Sequence, residues 1–529
     1  MALAELDVES DLLGISVAAM GNRLRVRNAG PRWCVEKSTL RAENSTVAPF
    51  CQEGSFSGLS NQVAVERIAE VEARSAGLRK ELGLIDLVLM QILYVVGSSW
   101  VGTAAKLGSS HTVFWLLAIA LYYLPQAWVV IYLSRLMPLE GGVYQWTTIA
   151  LGKFAGFMVA WNLWAYAILI IATFGVTIAT NASYLLTGGN ASLSQLWWYT
   201  PIVSTLSLLF VTGIAILGLR IGRWVQDLGG VAQVLTFAAL LIVPLVAVGL
   251  GHPVSYHPLD VSAPAFTPYS LNIFGKMALG ALSGFEYVAI MAGESRSPAR
   301  TIGRSVLLAA PVIALMFILG TNSVMALIPS DRIDLVSPIP QTLSIGFAGM
   351  GIARLIVPAL ILLLVLRQVG VVTMVFNGTT RLPLVTGWDN LLPVWFTRLH
   401  PRFKTPVNSI LFVSAITIAL TLVGQAGGGV QEAFQLLENA AGIFYALTYV
   451  ALFAIPIFGA ANLARRPSRL LRFAAMCGFA MSLLYSTLSV FPIIDVASWQ
   501  IFAAKIIVVI VGANLLGVAI YRAGQMRTR

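Results

Sequence analysis

Residues 272–304 read NIFGKMALGALSGFEYVAIMAGESRSPARTIGR, and the organisation of the chain turns on them. The first part is apolar enough to enter a bilayer and about long enough to cross one. One carboxylate, Glu286, falls near its middle, directly after Ser283-Gly284-Phe285. A charge at that depth is costly and marks a functional site by default. Gly280 and Gly284 weaken the helix around it, each by about 1 kcal/mol relative to alanine. Backbone groups freed by such a break are tolerated only where protein buries them or they line a wet cavity. The stretch predicts a broken helix around a small polar site.

Residues 85–107, IDLVLMQILYVVGSSWVGTAAKL, have the same character five spans earlier, interrupted by Gly97-Ser98-Ser99 and Gly102. Glycine also serves close helix packing in membranes, so one break alone is ambiguous. Interrupted spans in corresponding positions of two halves point to a transporter binding site. There the N–H groups of half-helices face an anionic group, and carbonyls at half-helix ends hold a cation.

Composition supports a membrane setting. The chain has 529 residues, 57% hydrophobic and 11% charged, where a soluble domain carries about 25% charged residues. Its mean hydropathy is +0.81. The formal charge of +11 does not indicate nucleic acid, because the basic residues sit in short loops on one side. Cys34, Cys51 and Cys477 lie far apart, without disulfide or metal-ligand spacing. The four histidines have no catalytic spacing, and no P-loop is present. No metal site, no cofactor beyond a coupling H+ or Na+, and no enzyme activity are expected.

Residues 1–80 read as an N-terminal cytoplasmic tail, largely disordered, without a secretory signal pattern. Within it, 62–81 has the spacing of a short amphipathic helix, open to reading as an interfacial helix, a regulatory tail or an overlong start. Residues 81–529 read as the transmembrane domain. Its twelve apolar segments are 85–107, 112–133, 155–184, 199–219, 229–250, 271–293, 305–328, 355–379, 408–424, 433–458, 471–491 and 500–521. Arginine and lysine crowd the loops on the tail side, from Arg135 and Lys153 through Arg296, Arg300 and Arg304 to Arg465–Arg472. The opposite loops offer little beyond Lys106, Arg332 and Arg354. The positive-inside rule then places both termini in the cytoplasm. Ten spans divide into two sets of five, each opening on an interrupted helix. Five is odd, so the sets are inverted.

The chain from about Leu82 to Arg522 resembles the amino acid–polyamine–organocation (APC) superfamily of permeases. Gly97-Ser98-Ser99-Trp100-Val101 is similar to the family's first-span motif, and Pro138–Tyr144 to its loop into the third span. Ser283-Gly284-Phe285-Glu286, with Gly293-Glu294 and Pro298, resembles the sixth-span signature. Arg381, Leu391-Leu392-Pro393 and Lys404-Thr405-Pro406 resemble the eighth-to-ninth connection. The resemblance implies an all-α leucine-transporter-type 5+5 fold with helices 1 and 6 broken. It implies a cell-membrane permease for an amino acid or related amine, working by symport or antiport. The substrate carboxylate would rest on the Gly97, Ser98 and Ser99 backbone. Its ammonium would meet sixth-span carbonyls across Gly280, Ala281, Leu282, Ser283 and Gly284. A polyamine carrier and a transport-dead substrate sensor are the alternatives. The bilayer and a small solute are the expected partners.

Three departures from the pattern matter. Ser99 stands at a family glycine, and Gln233 at a fifth-span position that holds a lysine in some proton-coupled members. Gly280 stands where the family places a closing aromatic. That last exchange predicts a roomy pocket for a large hydrophobic amino acid, unless Phe285, Trp164 or Tyr166 fills the hollow. Arg367, mid-span, has three open roles: neutralising Glu286, pairing with Glu438, or binding a substrate carboxylate. Thr373, Asn377 and Thr379 offer oxygens for sodium, or hydrogen-bonding glue between helices.

Overall fold

The computed structural model describes residues 82–529, except 140, 256–261, 291, 293–294, 352, 389–392, 404, 425–429, 497 and 529. It also describes the backbone of three strands in a separate N-terminal unit, Met1–Val63. Those strands, β1 (Arg25–Ala29), β2 (Arg32–Glu36) and β3 (Cys51–Glu53), form an antiparallel sheet in the order β1-β2-β3. Arg25 pairs with Glu36, and Arg32 with Glu53. The three strands fall within the N-terminal tail that the sequence reads as largely disordered. The rest of it, including the amphipathic stretch 62–81, lies outside the described residues, as do Glu140, Gly293-Glu294, Leu391-Leu392 and Lys404 of the motifs.

Among the described residues, the second unit, Ala64–Arg529, is built of helices and the loops between them. Ten of these described helices are long and apolar enough to cross a membrane. A bent pair, α1 (Leu84–Val95) and α2 (Ser98–Ala105), passes the same test only when joined. The helical run α3 (Gly108–Leu136) carries a π turn at Ile119–Tyr123. After the short α4 (Val143–Leu151) come α5 (Lys153–Thr187), α6 (Tyr199–Leu217) and α7 (Leu219–Gly249). The decisive segment is α8 (Pro268–Gly275), a π turn at Lys276–Ala281, a break, and α9 (Phe285–Ile290). It is followed by α10 (Pro298–Leu327), the short α11 (Pro338–Gly346) and α12 (Ala353–Trp388). The last four are α13 (Val407–Gly424), α14 (Val430–Phe458), α15 (Arg469–Leu488) and α16 (Trp499–Thr528).

Capping chemistry sets several starts. Thr267 caps α8 through a reciprocal pair with Ser270, and Pro268 takes the first position, where its missing N–H costs nothing. Asp334 accepts from the Val336 N–H at 2.9 Å and the Ser337 N–H at 3.3 Å, closing the entry to α11. Burial pushes its carboxyl above the usual range, against the pull of those bonds.

Burial ranks the helices. The sixth segment is 94% buried along its apolar window, whereas the last, α16, is 22% buried and faces outward. Around that centre α12 packs on α7 and α5, α14 on α5 and α15, and α10 on α1. The Arg296 N–H donates to Leu82 O at 2.9 Å, tying the entry to α1 to the exit of α9. Both broken helices thus have an end anchored at one point.

Candidate functional site

Local sequence forces both breaks. Helix α1 stops at Val95, Val96 leaves the helical region, and Gly97 is the extended residue that starts α2, so the halves meet at 43°. In the sixth segment Gly284 has φ 137°, a conformation open essentially to glycine. A Cβ there would also lie 2.4 Å from Tyr94 Cδ1. Glycine is required at this position on both counts.

A cavity of about 60 Å³ lies between the breaks. The first span contributes Tyr94, Gly97, Ser98, Ser99 and Trp100, and the sixth Gly280 and Ser283. Tyr166 comes from α5, Arg367 and Gln368 from α12, and Glu438 and Tyr445 from α14. Residues distant in sequence and singled out there are thus brought to one wall-to-wall site. Ala281, Leu282, Gly284, Phe285, Glu286 and Gln233 do not line it. Gln233 is buried in α7, its amide without a recorded partner. Thr373 and Thr379 donate their hydroxyls to Val369 O and Val375 O, one turn back in their own helix.

The hollow expected beside Gly280 is filled. A Cβ on Gly280 would lie 2.5 Å from Trp100 Cη2, and one on Gly97 would lie 2.5 Å from Trp100 Cδ1. One indole occupies the space that both glycines leave. The residues named as substitutes sit elsewhere or play other parts: Phe285 stacks on Tyr123 at 4.9 Å and Trp164 on Phe412 at 6.0 Å. Tyr166 stacks on Tyr445 at 4.0 Å and bonds to Tyr94 Oη at 2.8 Å.

The polar groups fall into three sets. First, the Gly97 N–H donates to Val95 O at 2.9 Å, which leaves Ser98 and Ser99 as the first donors of α2 without a partner in their own helix. The Ser99 hydroxyl donates to Glu438 Oε1 at 3.4 Å. Second, Glu286 is buried behind the cavity wall, where Tyr445 donates to its Oε1 and Tyr449 to its Oε2. Gln126 Nε2 approaches Oε2 at 3.4 Å. With its amide turned over, Gln126 donates to Leu282 O at 2.8 Å and accepts from the Gly284 N–H at 3.2 Å. Tyr94 Oη donates to Tyr445 Oη at 3.4 Å, so phenols connect Glu286 to the cavity. Third, Arg367 donates to Val96 O at 2.9 Å and Gln368 Oε1 at 2.6 Å; neither Glu286 nor Glu438 is a recorded partner. Lys276 donates to Asn439 Oδ1 and interacts electrostatically with Glu438.

The parts played by Trp100, Lys276, Tyr94, Gln126, Tyr445 and Tyr449 emerge only in the structure. An intramembrane lysine is itself a signal. Tyr445 and Tyr449, four apart, share one helix face, which is legible once their target is known.

The sequence profile of the family described as "Amino acid permease" matches residues 82–521, and the chain belongs to that family. An uncharacterized transporter of Legionella pneumophila is 24% identical over 387 residues, covering 72% of this chain and 81% of that one. The branched-chain amino acid permease BcaP of Bacillus subtilis is 21% identical, covering 68% and 77%. The methylthioribose transporter of the same organism is 21% identical, covering 70% and 82%. Among solved structures, MhsT in complex with L-phenylalanine superposes with a TM-score of 0.56 at 13% identity, over 84% of this chain and all of that one. The likeness supports a helical leucine-transporter-type fold.

Proposed function

We propose that this amino acid permease family member is a secondary transporter carrying amino acids across the cytoplasmic membrane by alternating access. The observation that carries the reading is the cavity set where two broken helices meet, with first-turn N–H groups on one side and freed sixth-span backbone on the other. In this reading the bent pair and α13 complete twelve spans, arranged as five plus five inverted helices and two more, with both termini cytoplasmic. A carboxylate rests on Ser98 and Ser99, and an ammonium meets the backbone around Gly280 and Ser283. BcaP's name supports an amino acid substrate and the methylthioribose transporter's name another solute, so the site chemistry carries the choice.

Proton coupling or exchange suits the site better than sodium symport. The Val96 carbonyl, at the negative end of α1, already accepts from the Arg367 guanidinium, which stands where that half-helix would draw a cation. Glu286 is the coupling group. Ionised, it takes Tyr445, Tyr449 and Gln126 as donors. With a proton on it, it donates to Tyr449 instead of accepting from it, and Tyr449 Oη also accepts from the Gly284 N–H at 3.0 Å. Loading a proton thereby changes what Tyr449 offers the break in the sixth segment.

The test is uptake of radiolabelled amino acids by purified protein in liposomes, under an imposed pH or sodium gradient. Saturable uptake driven by the pH gradient, or by counter-substrate, is expected. Binding without flux would make the chain a sensor, and a strict sodium requirement would refute the role given to Arg367 at Val96.

A further inference from the structure

Arg367 is 2% exposed in the middle of α12, and its recorded partners, Val96 O and Gln368 Oε1, are both neutral. Its Nε has none, and among the described residues no carboxylate pairs with it. A guanidinium left within a span without a counter-charge is strongly disfavoured. The carboxylates nearby are engaged. Glu286 is held by Tyr445 and Tyr449 outside the cavity lining, and Glu438 has Ser99 and Lys276. The missing anion therefore arrives with the ligand.

Where it would sit is fixed by a second feature. Arg367 lines the cavity and grips Val96 O, one residue before the glycine that starts α2. The first-turn N–H groups of Ser98 and Ser99 open onto the same wall, at the positive end of an eight-residue helix. Two independent positive groups, one a full charge and one a helix terminus, face one small space. A bidentate guanidinium and paired N–H donors are both matched to a planar carboxylate.

We propose that Arg367 is the counter-charge of the substrate carboxylate, making that group obligatory and excluding amines that lack it, polyamines included. The proposal rests on the permease reading and narrows it. A cation confronting a polyamine in a site of this size adds like-charge repulsion to the lost carboxylate contact, so rejection has an attractive and a repulsive part.

The experiment sets acids against their decarboxylated counterparts in one proteoliposome preparation. L-alanine, L-phenylalanine and L-ornithine are compared with ethylamine, phenethylamine and putrescine as competitors of tracer uptake. The acid of whichever pair is recognised should compete at least roughly tenfold better than its amine, the range expected for a charge-assisted contact. The substrate's carboxamide should fall with the amine. In Arg367→Gln the gap between acid and carboxamide should collapse, while Arg367→Lys keeps most of it. A purely structural role would weaken acid and carboxamide alike and leave the gap intact. Amines competing as well as acids in the wild type would overturn the role of Arg367 while the permease reading stood, and this arm does not depend on a variant folding. Failure to take up any acid would remove the permease reading and the proposal together.

Discussion

If the cavity is the transport site, Trp100 sets how large a substrate it admits. At about 60 Å³ it holds roughly four to six waters, at ~10–15 Å³ of probe-occupied volume each, comparable with the skeleton of glycine or alanine. The indole lies where a Cβ on Gly280 or on Gly97 would come within 2.5 Å of it. Trp100→Ala vacates on the order of a hundred cubic ångströms, which more than doubles the free space. If the void stayed empty it would cost about 2 kcal/mol at ~24 cal/mol per Å³, and less here because Trp100 is only partly buried. The variant should therefore stay folded and shift its preference from small to large apolar amino acids. Gly280→Phe should lose all substrates, because the ring it adds meets the indole. Trp100→Ala combined with Gly280→Phe should regain binding by moving the aromatic from the first span to the sixth. The assay is a thermal-shift series with glycine, alanine, leucine and phenylalanine, checked by competition for uptake. If Trp100→Ala leaves the size preference unchanged, or Gly280→Phe binds alanine as the wild type does, the indole does not set the limit.

Three further outcomes follow from the same geometry. Gly97→Val should abolish binding while leaving folded protein in the membrane, since its side chain collides with Trp100 beside the Ser98–Ser99 donors; unchanged affinity would remove the cradle. Glu286→Gln should flatten the pH dependence of uptake, because the amide cannot exchange a proton with the phenols around it; a full wild-type profile would reduce Glu286 to packing. Deleting residues 1–60 should leave uptake intact, since no helix of the cavity lies there; loss of uptake by inserted, folded protein would give the N-terminal unit a direct part.

What the sequence revealed depended on the range of the signal. The two breaks were legible because glycine runs at Gly97–Ser99 and Gly280–Gly284 act locally on helix stability. Ten of the apolar segments coincide with helices long enough to span a membrane, with some ends displaced, as at α10, which starts at Pro298 rather than residue 305. Glu286 and Arg367 stood out because charge in an apolar run is rare. Trp100 sits in the first-span motif but its role is not visible there, since Gly280, the glycine it packs on, is in the other broken helix. Nothing near Trp100 in sequence reports the space at Gly280. The tyrosines hid for a similar reason: Tyr94, Tyr445 and Tyr449 read as apolar filler until Glu286 is set among them. The π turns at Ile119–Tyr123 and Lys276–Ala281 leave no mark in the hydrophobic pattern.

Alternating access itself is tested most directly by entrance counterflow. Liposomes holding the purified protein are loaded with unlabelled amino acid, diluted into tracer with no ion gradient, and followed in time. A carrier whose cavity opens to one side at a time exchanges tracer for internal substrate, so label should rise transiently above its equilibrium level. A monotonic approach to equilibrium that never overshoots would indicate a pore, no entry at all would indicate a sensor, and either would contradict the account.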